Sequence, residues 1–190
     1  YMICSKYLAS ALFVNAFVQK NDAASVLLKA SELIQGNKYR LCPDYTDIFR
    51  PSNPEAIFSF LANDGDDPVF NQLIRKGQET PVIRYAEILL MAAEANLKER
   101  KHSEAIHLIN QVKTRNNRTL LNENASADAI QTALLEEWKT DLSKEGVWFF
   151  TMKRFGLAEN MLQIPSYMTL LPIPASELNF MPNMTQNPGY

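Results

Sequence analysis

The stretch PVIRYAEILLMAAEANLKERKHSEAIHLINQVKTRNN, residues 81–117, constrains the fold more than any other part of the chain. Val82, Tyr85, Ala86, Leu89, Leu90, Ala93 and Leu97 recur every three or four positions, a stripe that a helix turns to one side. Pro81 suits the first turn of that helix, where its missing N–H costs nothing. The polar run KERKHS interrupts the pattern, and from a Ser103 cap a second helix carries Ala105, Ile106, Ile109 and Val112. A turn this short makes the pair an antiparallel hairpin.

The same construction appears earlier, in SKYLASALFVNAFVQKNDAASVLLKASELIQGNKY. Tyr7, Leu8, Ala11 and Leu12, continuing to Val18, trace one helical face. Asn21 and Asp22 form the turn and cap, a second helix runs through Leu27, Ala30 and Ile34, and Gly36 supplies a left-handed stop. Ala11, Ala24, Ala93 and Ala105 sit where paired helices approach closely. Two such hairpins predict an all-α, tetratricopeptide-like array in one domain over 1–190, with irregular capping segments and little sheet. A stable stack of this type takes at least three units, so further helices must complete it.

One candidate is SADAIQTALLEEWKTDLSKEGVWFFTMKRFG, with a Ser126 cap and Ile130, Leu134, Trp138 and Leu142 at helical spacing. Gly146 breaks it, and Trp148, Phe149, Phe150, Met152 and Phe155 follow on a renewed helix as core side chains. Glu145, with Lys153 and Arg154 nearby, reads as a structural ion pair orienting the turn at Gly146. Between the hairpins, AIFSFL (residues 56–61) reads as a short strand or buried extended segment. The loop LANDGDDP follows it, acidic but without the DxDxDG register of a calcium-binding hand.

Several function classes are disfavoured. A net charge of −2 provides no basic footprint for nucleic acid. His102 and His107 miss the i, i+4 spacing of metal ligands, and two cysteines, Cys4 and Cys42, are too few for a disulfide framework. No cofactor motif is present: there is neither a glycine-rich phosphate loop nor a G-x-S-x-G elbow. Glu136 and Glu137 are adjacent and point to different sides of a helix, a poor acid–base pair. The chain reads as non-enzymatic. Its start, YMICSKYLAS, lacks the basic region of a signal peptide and opens without an initiator methionine, the expectation for a piece of a longer protein.

In order along the chain, PEAIFSF, TPVIRYAEILLMAAEAN, INQVKTR, LLEEWKTDLSKEGVWFFTMKRFG and LLPIPASELNFMPNMTQNPGY resemble the SusD/RagB proteins. The resemblance runs from about Ser5 to Tyr190. It implies a Bacteroidetes surface lipoprotein of the outer membrane that captures nutrients, usually glycans. It also implies two partners, an oligosaccharide ligand and a SusC-like TonB-dependent transporter. For the end of the chain, with Pro172, Pro174, Pro182 and Pro188, it implies a docked closing segment rather than a frayed tail, with Leu171, Ile173 and Leu178 supplying burial. Relatives are longer, and residues 62–80 stand as a shortened loop where they carry an insertion. The ligand-binding candidates lie in that loop: Asp66, Asp67, Phe70, Asn71, Gln72 and Arg75 combine an aromatic plate with amide and carboxylate groups, a mixture suited to sugar hydroxyls. The alternative is a helical-repeat docking scaffold that holds a protein partner and has no sugar site of its own.

Overall fold

A computed structural model describes residues 5–61, 79–142, 145–181 and 183–190. The chain forms two compact units, one through Glu145 and one over Gly146–Tyr190. The first opens with α1 (Lys6–Gln19), capped by Ser5, and α2 (Ala23–Ile34), capped by Asp22, whose carboxylate accepts from the Ser25 N–H. A 3₁₀ turn at Tyr45–Phe49 leads to β1 (Ala56–Leu61), which pairs antiparallel with β2 (Glu79–Arg84). Then come α3 (Tyr85–Lys98), α4 (His102–Arg115) and α5 (Ala127–Asp141), the last capped by Ser126 as expected.

The helices pair as the sequence predicts: α1 lies on α2 and α3 on α4, while α2 joins the hairpins by packing on α3. Helix α3 is buried from Tyr85 to Asn96, all the way round. It is covered by α1, α2, α4 and α5, and Ala86, Ala92, Ala93 and Ala95 let those neighbours come close. Ala11 and Ala105 are likewise fully buried at helix contacts, but Ala24 is exposed. The buried face of α1 is Leu8, Ala11, Val14 and Val18, while Leu12 points out to solvent. On α2 the buried positions are Val26, Ala30 and Leu33, one residue off the stripe expected through Leu27 and Ile34.

Several element boundaries differ from expectation. Pro81 lies inside β2, not in a helix. A two-stranded sheet has only edge strands, which tolerate a residue without an N–H, and the register shifts between Ala56 and Ser59. Ser103 does not cap α4, which begins at His102 after Lys101. The cause is the end of α3, where Arg100 adopts a left-handed φ of 59° and the Lys101 N–H reaches back to the Asn96 carbonyl at 2.8 Å. After α2 the left-handed residue is Asn37 (φ 51°) rather than Gly36. AIFSFL is a strand in which Ala56 to Ser59 are half-buried and Phe60 is exposed.

The second unit contains α6 (Trp148–Arg154), α7 (Ala158–Leu162), a 3₁₀ turn at Ser166–Thr169 and α8 (Ala175–Phe180). Gly146 starts it with a φ of +76°, the break the sequence places there. Thr151 and Met152 are buried on α6, whereas Phe150 is 48% exposed and is not a core side chain. Proline limits the backbone donors available for regular pairing in the closing segment. Side chains tie it together instead. The Gln186 amide accepts from the Ile173 N–H (2.8 Å) and donates to the Ile173 carbonyl (2.9 Å). Asn187 Nδ2 donates to the Leu171 carbonyl, Tyr190 Oη donates to the Leu170 carbonyl, and the Tyr190 ring meets Tyr167 edge-on at 5.3 Å. Apolar burial contributes less than expected: Ile173 and Leu178 are half-buried, and Leu171 is 61% exposed.

Candidate functional site

The first unit is organised around charge. Arg84, the last residue of β2, is fully buried, and each nitrogen of its guanidinium is committed. Nε donates to both Glu145 oxygens at 2.9 Å, Nη1 to Glu55 Oε1 at 2.5 Å, and Nη2 to Asp141 Oδ2 at 2.7 Å and the Asp141 carbonyl at 2.6 Å. Arg115, at the end of α4, binds the other side of the same acids: Nη1 to Glu55 Oε2 at 2.9 Å and Nη2 to Asp141 Oδ1 at 2.6 Å. Two planar forks thus grip two carboxylates between them, a geometry that lysine cannot reproduce. The Cys42 N–H completes Glu55 at 2.9 Å, and Asn116 Nδ2 completes Asp141 at 2.8 Å.

A second layer of pairs adjoins the first. Glu137, fully buried on α5, accepts from Arg118 Nη1 at 3.2 Å and faces Lys113 Nζ at 3.3 Å. Its neighbour Glu136 is exposed, so the two acids do take different sides of the helix. The formal charges balance: Arg84, Arg115, Arg118 and Lys113 against Glu55, Glu137, Asp141 and Glu145. Burial works against the Arg84 charge, but the Glu145 and Asp141 carboxylates outweigh it and hold the guanidinium protonated. Burial also pushes Asp141 up, and Arg84 and Arg115 overcome it, leaving the carboxyl below the usual aspartate range. For Glu145 burial prevails over Arg84, and its carboxyl stands above the ordinary value. Carboxylates held between two guanidinium groups are poorly placed to shuttle protons, so the arrangement is built to hold structure.

This accounts for Glu145, which pairs with Arg84 at the end of β2. Among the described residues, no group of three or more His, Cys, Asp and Glu side chains is arranged to hold a metal ion. No described helix is long and apolar enough to cross a membrane. Cys42 is a buried free thiol, pushed up by burial, and Cys4 lies outside the described residues. Asp66, Asp67, Phe70, Asn71, Gln72 and Arg75 also lie outside them, so their role stays a proposal from sequence.

Above the ion pairs opens a cleft of about 300 Å³, formed by residues 43–45, 115–118 and 140–141. Its floor is Arg115, Asn116 and Asp141, already bonded to one another and to Glu55. Tyr45 packs beside it, with the Arg115 guanidinium 5.6 Å from its ring centroid and its hydroxyl donating to the Asp141 carbonyl at 3.3 Å. Asp44 Oδ1 accepts from both the N–H and the hydroxyl of Thr46 at 2.8 Å, and these bonds hold its carboxyl below the ordinary value. The expectation from sequence passed over this site. Its one legible signal is Asp141, which shares the face of α5 that carries Ile130, Leu134 and Trp138, an unusual place for a charge.

The family model described as the SusD family matches residues 60–169, more than half of the chain. The chain belongs to the SusD family. Starch-binding protein SusD of Bacteroides thetaiotaomicron is 30% identical over 125 residues, covering 59% of this chain and 22% of that protein. A SusD superfamily protein of Bacteroides vulgatus superposes on the whole chain and on 64% of its own length, with a TM-score of 0.81 at 17% identity. Surface glycan-binding protein A of Bacteroides thetaiotaomicron, solved in complex with laminarihexaose, matches 95% of the chain and 63% of its own, with a TM-score of 0.76 at 16% identity. This member of the SusD family therefore spans about a fifth of the SusD length and less than two thirds of either solved relative. Its predicted all-α hairpin array is the family's fold.

Proposed function

We propose that this SusD-family chain is the helical scaffold of a non-enzymatic protein that captures an oligosaccharide at the cell surface. It acts at the outer membrane and passes the ligand to a SusC-like TonB-dependent transporter. The supporting observation is the family match over residues 60–169, which covers β2, the hairpin α3–α4 and α5, and with them every member of the buried ion pairs except Glu55. Relatives of the same fold include a protein named for starch binding and one solved with laminarihexaose. The ion-paired core fits such a role. A scaffold whose charges are internally neutralised presents hydroxyl-binding groups without selecting strongly for charged ligands.

Calorimetric titration of the chain against laminarihexaose, maltoheptaose and plant and host oligosaccharides tests the reading. Saturable binding of at least one sugar, together with co-purification of a TonB-dependent transporter from Bacteroides outer membranes, is the expected result. A chain that retains the transporter and binds no sugar of the panel would overturn capture and leave the docking-scaffold role.

A further inference from the structure

We propose that the cleft at Tyr45 and Asn117 is a sugar subsite, taking the end of a neutral oligosaccharide; this rests on the glycan-capture reading above. The argument lies in the contrast between floor and rim. On the floor, Arg115 has Nε bonded to Asn116, Nη1 to Glu55 and Nη2 to Asp141, and Asn116 returns two amide bonds to Glu137 and Asp141. These groups are engaged chiefly with one another, and their fixed positions make a rigid base. On the rim the situation reverses. Arg118 makes its bonds to described residues through Nη1 alone, leaving Nε and Nη2 as donors. Asp44 uses only Oδ1, leaving Oδ2 as an acceptor. Asn117 is exposed, stands at a left-handed φ of 53°, and offers both an amide donor and an acceptor.

A cluster of donors and acceptors at one mouth, beside an aromatic ring, matches what sugar hydroxyls and C–H faces require. Opposite charges balance within the site, because Arg118 is offset by Glu137, and Asp44 disfavours an anionic ligand. A neutral sugar fits better than a phosphate or an acidic one. The volume, about 300 Å³, falls at the small end of ligand sites, which suits a chain terminus rather than an internal run.

The test is ¹⁵N-labelled NMR titration of the chain with laminarihexaose and maltoheptaose, paired with calorimetry of two conservative variants. Asn117→Gly keeps the left-handed backbone while removing the amide. Asp44→Ser keeps the cap of the 3₁₀ turn while removing the second oxygen. Shifts at residues 44–46, 116–118 and 140–141, with affinity weakened about 3- to 10-fold in each variant, are expected from the loss of one hydrogen bond apiece. Unchanged thermal melts would show that both variants fold. Sugar-induced shifts elsewhere, with both variants binding as well as the parent, would overturn the subsite and leave glycan capture standing. Absence of any shift with every sugar of the calorimetric panel at millimolar concentration would overturn both.

Discussion

Arg84→Met tests the buried ion pairs at their centre. Methionine roughly fills the volume of the arginine stem but cannot replace its five hydrogen bonds to Glu145, Glu55 and Asp141. The three acids would not suffer equally. Glu55 would keep Arg115 and the Cys42 N–H, and Asp141 would keep Arg115 and Asn116. Glu145 would lose its ion pair, with its side chain still only 9% exposed. Removing one partner from a buried pair costs about 3–5 kcal/mol. Glu145 can relieve part of the cost by taking up a proton, since burial already raises its pKa, so a loss near 3 kcal/mol is expected. With a urea slope of about 2 kcal/mol/M, the midpoint should fall by about 1.5 M, read by far-ultraviolet circular dichroism. Arg84→Lys should recover only part of this, and Glu145→Gln on the Arg84→Met background should recover most of it. A loss below about 1 kcal/mol, or no rescue by Glu145→Gln, would refute the reasoning, because the orphaned carboxylate would not be the source of the cost.

Two further expectations concern pH and the closing segment. The folded pKa of Asp141 is depressed below 3.8, so its contribution is complete above that value and disappears as pH falls through the folded pKa; Glu145, raised above 4.5, slopes the opposite way and loses stability as pH rises through its folded pKa. Urea midpoints measured from about pH 7 down to about pH 2.5 should therefore hold or rise slightly before a late fall below about pH 4, and Asp141→Asn should reduce that late fall, to which Asp44 also contributes; an identical pH curve would contradict the assignment. Gly189 has a φ of +96°, and an added Cβ would come 2.4 Å from the Tyr167 ring, so Gly189→Ala should raise amide exchange at Ile173, whose N–H the Gln186 side chain holds, with unchanged protection there counting against the proposed hold.

Much of the helical framework is legible in the sequence because apolar spacing reports which face is buried. The stripes of α4 and α5 lie where periodicity puts them, and so do the caps at Asp22 and Ser126; α3 instead is buried all round, and Val82, expected on its stripe, is exposed in β2. The misses cluster at junctions. Pro81 suits a helix start and an edge strand equally well, and only the pairing partner, Ala56–Leu61, decides between them. Gly36 was the obvious left-handed residue, yet Asn37 takes that role, since asparagine also tolerates the conformation. Charge was the least legible property. Glu55, Arg84, Arg115 and Asp141 lie far apart in the chain, and nothing local marks them as partners, because their meeting depends on the complete fold. The cleft above them follows from the same meeting and shares its invisibility.

The clasped groups come from the approach to β1 (Glu55), the end of β2 (Arg84), the exit of α4 (Arg115), the end of α5 (Asp141) and Glu145 beyond it, with bonded partners up to 61 positions apart. No hairpin contains more than part of the set. The guanidinium can therefore close its last bonds only when the loops between these segments have already been ordered, which places the ion pairs late on the folding path. Interactions absent from the transition state govern how slowly a protein comes apart rather than how quickly it assembles. For a protein outside the reach of cytoplasmic chaperones, as the proposed surface location would make it, that is a useful division. The hairpins would set the rate of folding, and the arginine clasp would set the lifetime of the folded chain, so Arg84→Met should accelerate unfolding while leaving refolding nearly unchanged.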